Sequence, residues 1–399
     1  MARLEFEELS FEEKDKGVRV FFLDNYYFDL SEKELSSIGK FKIGKNYIEF
    51  DATEQKAGNK FNNLITSGFS HLKNKLGGKN TIYIHQNMEV PLVGLNYFGI
   101  VNRDTSLIEV KPLTGCNFNC IYCSIDEGIS STKQNDFVIE KDYLVKEVKK
   151  LIASKECDDI EVYINPHGEP LLYKPLASLI SDLKKIKEIK RISISTNGLL
   201  LTKEKVDELV KAGLDKINIS INSIDSLTAK KMAGVNYDPS NILEVCKYIS
   251  KQKVALFIAP VWLPSFNDEE MPKLIELCKD LGAKLCIQNF LNYKFGRNPV
   301  KALPMEDFFD KLKKLEKWHD VKLIVDASDF KVVNTKKLTK PFKKNDKVDA
   351  KILFNGRLKG EKIAFSGDRL ISIPNCEKNG KTRLKIVRSK HNVFVGVVC

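Results

Sequence analysis

The chain has 399 residues, 43% hydrophobic and 30% charged, which is enough for two or three folded domains and excludes a mostly disordered protein. Its longest apolar runs, such as 254–264, fall short of the ~20 residues a membrane-spanning helix needs, and the acidic start has no apolar signal core, so the expected place is the cytoplasm, with no membrane partner. The net charge of +12 sits at one end: residues 331–399 hold 14 Lys and 4 Arg against 5 acidic residues, while the other 330 residues carry 47 basic and 48 acidic side chains.

Residues 1–105 contain no cysteine and predict a small α+β domain, with strands near 18–23, 47–50 and 81–85 and a helix over 60–75. From 106 to 330 strand-like runs alternate with amphipathic ones. Strands are predicted at 107–111, 160–165, 192–196, 216–221, 255–260 and 285–289, and helices at 140–154, 175–186, 203–212, 240–251, 268–281 and 304–318. Six β-then-α units predict a parallel sheet with helices outside, whose chemistry gathers at the carboxyl ends of the strands. Residues 331–345 read as a Lys- and Thr-rich linker. Residues 346–399 predict five short strands, at 349–354, 361–365, 369–373, 383–387 and 393–398, the content of a small barrel of the kind that binds oligonucleotides. Such a density of positive charge attracts polyanions and points to RNA, against the plainer reading of a solubilising tail.

Nine cysteines, an odd number without the pattern of a secreted scaffold, point to a reducing compartment. Three of them directly follow the predicted strand 107–111, in the run Thr114-Gly115-Cys116-Asn117-Phe118-Asn119-Cys120-Ile121-Tyr122-Cys123. Three thiolates at C-x3-C-x2-C spacing can wrap one corner of a cubane iron–sulfur cluster, which leaves one iron open to a substrate or cofactor. A zinc site calls for a fourth Cys or His, and none follows within the next 30 residues.

This loop, with Tyr122 in the aromatic place, resembles the signature of the radical SAM superfamily. The resemblance implies that Cys116, Cys120 and Cys123 hold three irons of a [4Fe–4S] cluster, that S-adenosylmethionine chelates the fourth, and that Tyr122 lies beside the adenine. One electron then breaks a carbon–sulfur bond of the cofactor and gives a 5′-deoxyadenosyl radical that abstracts hydrogen. Further matches stand at the predicted strand ends. His167-Gly168-Glu169-Pro170 is similar to the family's G-G-E-P, with His167 in the first Gly place, and implies that Gly168, Glu169 and Pro170 receive the cofactor's ammonium group. Ser195-Thr196-Asn197-Gly198 is similar to the T-N-G end, which implies Thr196 and Asn197 near the ribose or the carboxylate. Ser220 and Asn222 stand where the molybdenum-cofactor cyclase branch has S-x-D-S, with Asn in the Asp place, and Pro260 would flank the adenine. A single strand-end Thr or Ser is commonly a helix cap; four matches in order at successive strand ends are not explained that way.

The C-terminal segment, with Gly356-Arg357-Leu358-Lys359-Gly360-Glu361 and Gly367-Asp368-Arg369 at its predicted turns, resembles a TRAM domain, an OB-like barrel appended to tRNA-modifying enzymes. The implied architecture is a partial (βα)6 radical SAM barrel between a small α+β domain and a basic all-β barrel, as in an archaeal family of predicted Fe–S oxidoreductases. The implied function is modification of RNA, tRNA above all, with an electron donor such as ferredoxin or flavodoxin; no catalytic side chain is assigned. A protein or peptide target and a small biosynthetic intermediate stand as alternatives. A third is an RNA-binding protein with a structural cluster, against which the ordered Glu169, Thr196 and Ser220 argue. If RNA is the target, removal of 335–399 is expected to abolish tRNA retention and to leave cofactor cleavage intact.

Cys246, Cys278 and Cys286 read as core residues, and Cys278 and Cys286 make no second cluster motif. The lack of cysteine before Cys116 argues against methylthiotransferase chemistry, and the late Cys376 and Cys399 sit in no methyl-carrier motif. The loop 288–299 mixes aromatic, amide and basic groups and either meets a base or is a plain polar loop. Asp126 and Glu127 either bind substrate or cap the next helix.

Overall fold

Side chains of alternating polarity build the N-terminal part. In Gly17–Phe22 the buried residues are Val18, Val20 and Phe22, and in Tyr26–Ser31 they are Tyr26, Phe28 and Leu30. The structure is a computed structural model and describes every residue except Ser131. These strands belong to a six-stranded sheet with Leu9–Lys14, Lys73–Asn74, Asn80–Ile84 and, from far later in the chain, Asn135–Ile139. The helix expected over 60–75 runs over Glu54–Phe69. Thr53 caps it by accepting from the Lys56 N–H, Ala57 and Phe61 face the core, and the chain leaves the helix so that Lys73 and Asn74 can pair with Tyr27 and Tyr26.

The central sheet contains six parallel strands that lie side by side in chain order: Leu107–Lys111 (β1), Ile160–Ile164 (β2), Ile189–Thr196 (β3), Lys216–Ile219 (β4), Ala255–Ile258 (β5) and Lys284–Leu285 (β6). Helices Lys141–Ala153, Leu176–Lys184, Lys203–Lys211, Ser240–Ile249, Glu270–Leu281 and Met305–His319 alternate with them, each burying one stripe, as Tyr143, Leu144, Val148 and Leu151 do in the first. This is the half-barrel that the alternation predicts. A seventh strand, Gly99–Asn102, runs antiparallel to β1. Because Gly99–Asn102 belongs to the central sheet and Asn135–Ile139 to the N-terminal one, the division expected between 105 and 106 cuts through paired strands. Every residue of both strands is buried, so neither shows the period-two signal by which strands are read.

Lys347–Asn355 (β7), Lys362–Ser366 (β8), Arg369–Ile373 (β9), Lys381–Arg388 (β10) and Val395–Val398 (β11) close a barrel in the order β7-β8-β9-β11-β10, with β9 and β11 parallel. This order fits an OB-like barrel. Ala350, Ile352, Ala364, Ile371, Leu384 and Ile386 fill its interior. Ile363 of β8 and Leu370 of β9 join the core of the main body instead. The Leu370 N–H donates to the Val93 carbonyl and the Phe394 N–H to the Gly94 carbonyl, both at 2.9 Å. Gly94 has φ +132°, and a Cβ there would meet the Leu370 carbonyl oxygen at 2.2 Å. The segment 331–345, expected as a linker, is also tied down: the Ser106 N–H donates to Val333 at 2.8 Å and the Thr335 N–H to Asp104 at 3.0 Å. Among the described residues no helix is long and apolar enough to cross a membrane.

Candidate active site

The cysteine loop leaves β1 through Thr114 and Gly115, which pair in parallel with His167 and Gly168 beyond β2. The approach is so close that a Cβ on Gly168 would lie 1.9 Å from the Gly115 carbonyl oxygen, so the position requires glycine. Further along, the Asn119 N–H donates to Ala233 at 2.9 Å and the Ile121 N–H to Met232 at 3.1 Å, which docks the loop on the end of helix Ser226–Ala233.

A cavity of about 310 Å³ opens at the carboxyl ends of the strands and brings together Cys116, Cys120, Tyr122, Cys123, Gly168, Glu169, Thr196, Asn197 and Ser220. A larger cleft of about 660 Å³, between helix Lys141–Ala153 and the C-terminal barrel, contains none of these residues and mixes Lys146, Lys150 and Arg369 with Glu89, Glu147 and Asp368. The chemistry belongs to the smaller cavity.

Glu169 is 1% exposed. Its carboxylate accepts from the Thr196 hydroxyl at 2.6 Å, the Asn197 N–H at 2.8 Å and the Leu171 N–H at 3.0 Å. All three donors are neutral, and burial pushes the carboxyl up to about 7 in spite of them. A cationic ligand in the cavity would supply the missing counter-charge. Burial likewise pushes the Cys120 thiol up to about 12 and the Cys116 thiol upward too, so iron binding here must displace protons. The Phe118 N–H donates to Cys116 Sγ at 3.4 Å and the Glu127 N–H to Cys123 Sγ at 3.2 Å. Among the described residues no three Cys, His, Asp or Glu side chains converge as they would around one ion. Soft sulfur donors that line one cavity without converging on a point suit a multi-iron cluster, in which each iron takes its own thiolate.

Pro170, Asn222 and Pro260 do not line this cavity. Pro170 starts the turn Pro170–Leu172, and the Pro260 carbonyl accepts from the Gln288 N–H at 2.8 Å. Asn222 donates to the Tyr122 hydroxyl at 2.5 Å and accepts from the Val261 N–H at 2.8 Å. Asn in the Asp place therefore ties the cysteine loop to the ends of β4 and β5. Gln288, Asn289, Phe290 and Tyr293 do reach the cavity wall.

Two arginines hold the cysteine loop from outside the cavity, and no local pattern singles them out. Arg297 donates to the Asp126 carboxylate at 2.7 Å and to the carbonyls of Cys120 (2.9 Å), Glu127 (2.6 Å) and Ile129 (2.9 Å). Arg357, from the β7–β8 turn, has a side chain only 5% exposed. It donates to Glu127 Oε1 at 2.8 Å and to the Ile125 carbonyl at 2.5 Å. Lys133 bridges Glu127 and Asp136 at 2.5 Å each, and Asp136 accepts from the Thr114 hydroxyl at 2.7 Å. Glu127 lines the cavity, but its carboxylate is taken by Lys133 and Arg357; Asp126 lies outside the cavity, bound to Arg297, and neither residue caps a helix. The C-terminal barrel is part of the support of the cysteine loop, which argues against the expectation that 335–399 can be removed without touching cofactor cleavage. The one sequence signal for Arg357 is an arginine in a segment whose cations are mostly lysine, since a forked donor is what several carbonyls and a carboxylate require.

Cys246, Cys278 and Cys376 are buried and Cys399 is exposed, while Cys278 and Cys286 line a separate cavity beside β6.

Comparison with known proteins agrees with this geometry. The sequence model of the radical SAM superfamily matches residues 110–278. Uncharacterized protein MJ0103 of Methanocaldococcus jannaschii is 38% identical over 367 residues, 84% of each chain. GTP 3′,8-cyclase of Clostridium botulinum is 29% identical over 177 residues; this match takes in 44% of the chain and 54% of the cyclase, about half its length. Among solved structures, TYW1 with a lysine-pyruvate adduct bound is similar at a TM-score of 0.42 and 20% identity, over 59% of this chain and 80% of that one. With a half-barrel, a strand-end cavity carrying three cysteines, the family-model match and the 38% identical archaeal relative, the chain belongs to the radical SAM superfamily, whose members bind a [4Fe–4S] cluster and S-adenosylmethionine.

Proposed function

We propose that this radical SAM enzyme modifies RNA, with tRNA as the first candidate. Cys116, Cys120 and Cys123 hold the cluster, and Glu169 beside the Gly168 backbone takes the cofactor's ammonium group. Thr196, Asn197 and Ser220 face its ribose and carboxylate, and Tyr122 and Val261 flank its adenine. When bound and reduced by a donor such as ferredoxin or flavodoxin, the cluster supplies the electron for cleavage of the cofactor's carbon–sulfur bond. The chain's own part is placement: Glu169 fixes the cofactor, the Glu127 N–H steadies Cys123, and the apolar walls Phe118 and Phe290 limit water.

The observation that carries the RNA reading is the position of the charge. The chain's positive excess lies in residues 331–399, the basic segment that ends in a barrel of OB-like strand order and holds the cysteine loop through Arg357. Tyr293 and Phe295, 47% and 56% exposed in the loop after β6, offer rings for a base to stack on. The segment 346–399 is then a TRAM-like module. The test is nucleoside mass spectrometry of total tRNA from a strain lacking the gene: a missing modified nucleoside supports the proposal, and a complete inventory refutes it. A small nucleotide is the second reading, favoured by the similarity to a GTP cyclase; it predicts that guanosine nucleotides, not tRNA, protect the cavity from thiol alkylation.

A further inference from the structure

An OB-like barrel commonly takes oligonucleotides on the face of its second and third strands, with help from the first-to-second and fourth-to-fifth loops. Here those surfaces are occupied by the protein itself. Ile363 of β8 and Leu370 of β9 are buried in the core of the main body. The β7–β8 turn delivers Arg357 to Glu127, and the Lys359 N–H donates to Thr132 at 2.9 Å. The β10–β11 loop is fixed where the Phe394 N–H meets Gly94.

The opposite face is free and strongly basic. Strands β7 and β10 pair so that Lys347 faces Lys385, Lys351 faces Lys381, and Asp349 faces Arg383. All of these side chains are exposed. The one acid among them, Asp349, lies 4.0 Å from Arg383, and among the described residues the four lysines have no ion pair. Like charges set directly opposite across an antiparallel pair cost stability. Two such pairs on one ladder are accounted for by a polyanion that neutralises them.

We infer that the β7–β10 ladder, and not the β8–β9 face, is where this chain grips RNA; the inference rests on the RNA reading and adds the surface to it. Lys351 stands six residues before Arg357 on the same strand and turn, about 20 Å of extended chain from the support of the cysteine loop. An RNA stem lying along the ladder therefore reaches toward the cavity mouth. Phosphate contacts of this type carry no sequence readout, so selection of the modified nucleotide falls to the cavity rim.

The test compares the full-length wild type with a Lys351→Gln, Lys381→Gln, Lys385→Gln variant and a control carrying Lys301→Gln, Lys314→Gln and Lys317→Gln. Retention of bulk tRNA is measured from 50 to 300 mM salt. The ladder variant is expected to bind about tenfold to a hundredfold more weakly at 150 mM, with the slope of log K against log salt reduced by about 2 to 3. Its melting temperature is expected to be no lower than that of the wild type, and the control to bind as the wild type does. Equal binding by the ladder variant, or equal loss in the control, overturns the ladder and leaves the RNA reading standing. No retention of tRNA by the wild type overturns both.

Discussion

Arg357→Leu tests the link between the C-terminal barrel and the cysteine loop. The substitution removes one cation from a buried set in which Glu127, Asp136, Lys133 and Arg357 balance in charge. Lys133 already serves both carboxylates, so Glu127 keeps a shared half of one lysine. Removing one partner of a buried ion pair costs about 3–5 kcal/mol, because the remaining charge stays desolvated. The Ile125 carbonyl also loses its 2.5 Å donor, on the loop whose Glu127 N–H bonds Cys123 Sγ. Urea denaturation of the metal-free chain is expected to show a loss of about 3–5 kcal/mol. After anaerobic reconstitution, bound iron should fall in parallel. Adding Glu127→Leu should restore much of the stability, since both charges are then gone, but not the iron content. A loss below about 1 kcal/mol, or a double variant no more stable than the single one, would refute the reasoning.

Serine in place of Cys116, Cys120 or Cys123 should in each case abolish the visible absorbance of the reconstituted cluster, while serine at Cys278 or Cys286 should leave it; iron analysis and absorbance check this. Gly168→Ala should destabilise the chain by more than about 3 kcal/mol by denaturation, because its Cβ would meet the Gly115 backbone at 1.9 Å at a φ of +154°. Glu169 carries a pH signature. Its folded pKa, about 7, lies above the ordinary 4.5, so the folded state holds the proton more tightly. Its contribution is therefore fully present below about pH 4.5 and is lost as the pH rises through 7, a span of about 3 kcal/mol. Denaturation of the metal-free Glu169→Gln variant should lack this decline, and parallel pH profiles for the two proteins would contradict the assignment.

What could be read from the sequence is what is local. Cys116, Cys120 and Cys123 share one loop, and Glu169, Thr196 and Ser220 each stand at or just beyond the carboxyl end of their own strand, where a parallel sheet gathers its chemistry. What could not be read joins distant parts of the chain. Arg297 and Arg357 contact Glu127 from 170 and 230 residues away, and an arginine among lysines does not tell Arg357 from the other arginines of its segment, of which Arg369 is buried as well. Asn135–Ile139 is hidden for a related reason: a strand buried on both faces has no alternation, and its partner Asn80–Ile84 lies in the preceding region. Asn222 shows the limit of a motif. It stands at the expected position, yet it is spent on Tyr122 and Val261.

The central claim is that the cavity at the strand ends holds a cluster and S-adenosylmethionine together for reductive cleavage. Anaerobically reconstituted full-length protein, given the cofactor and dithionite, should yield 5′-deoxyadenosine and methionine in step with its bound iron, and the Cys120→Ser variant should yield neither. A fully loaded four-iron cluster that produces no 5′-deoxyadenosine would contradict the account.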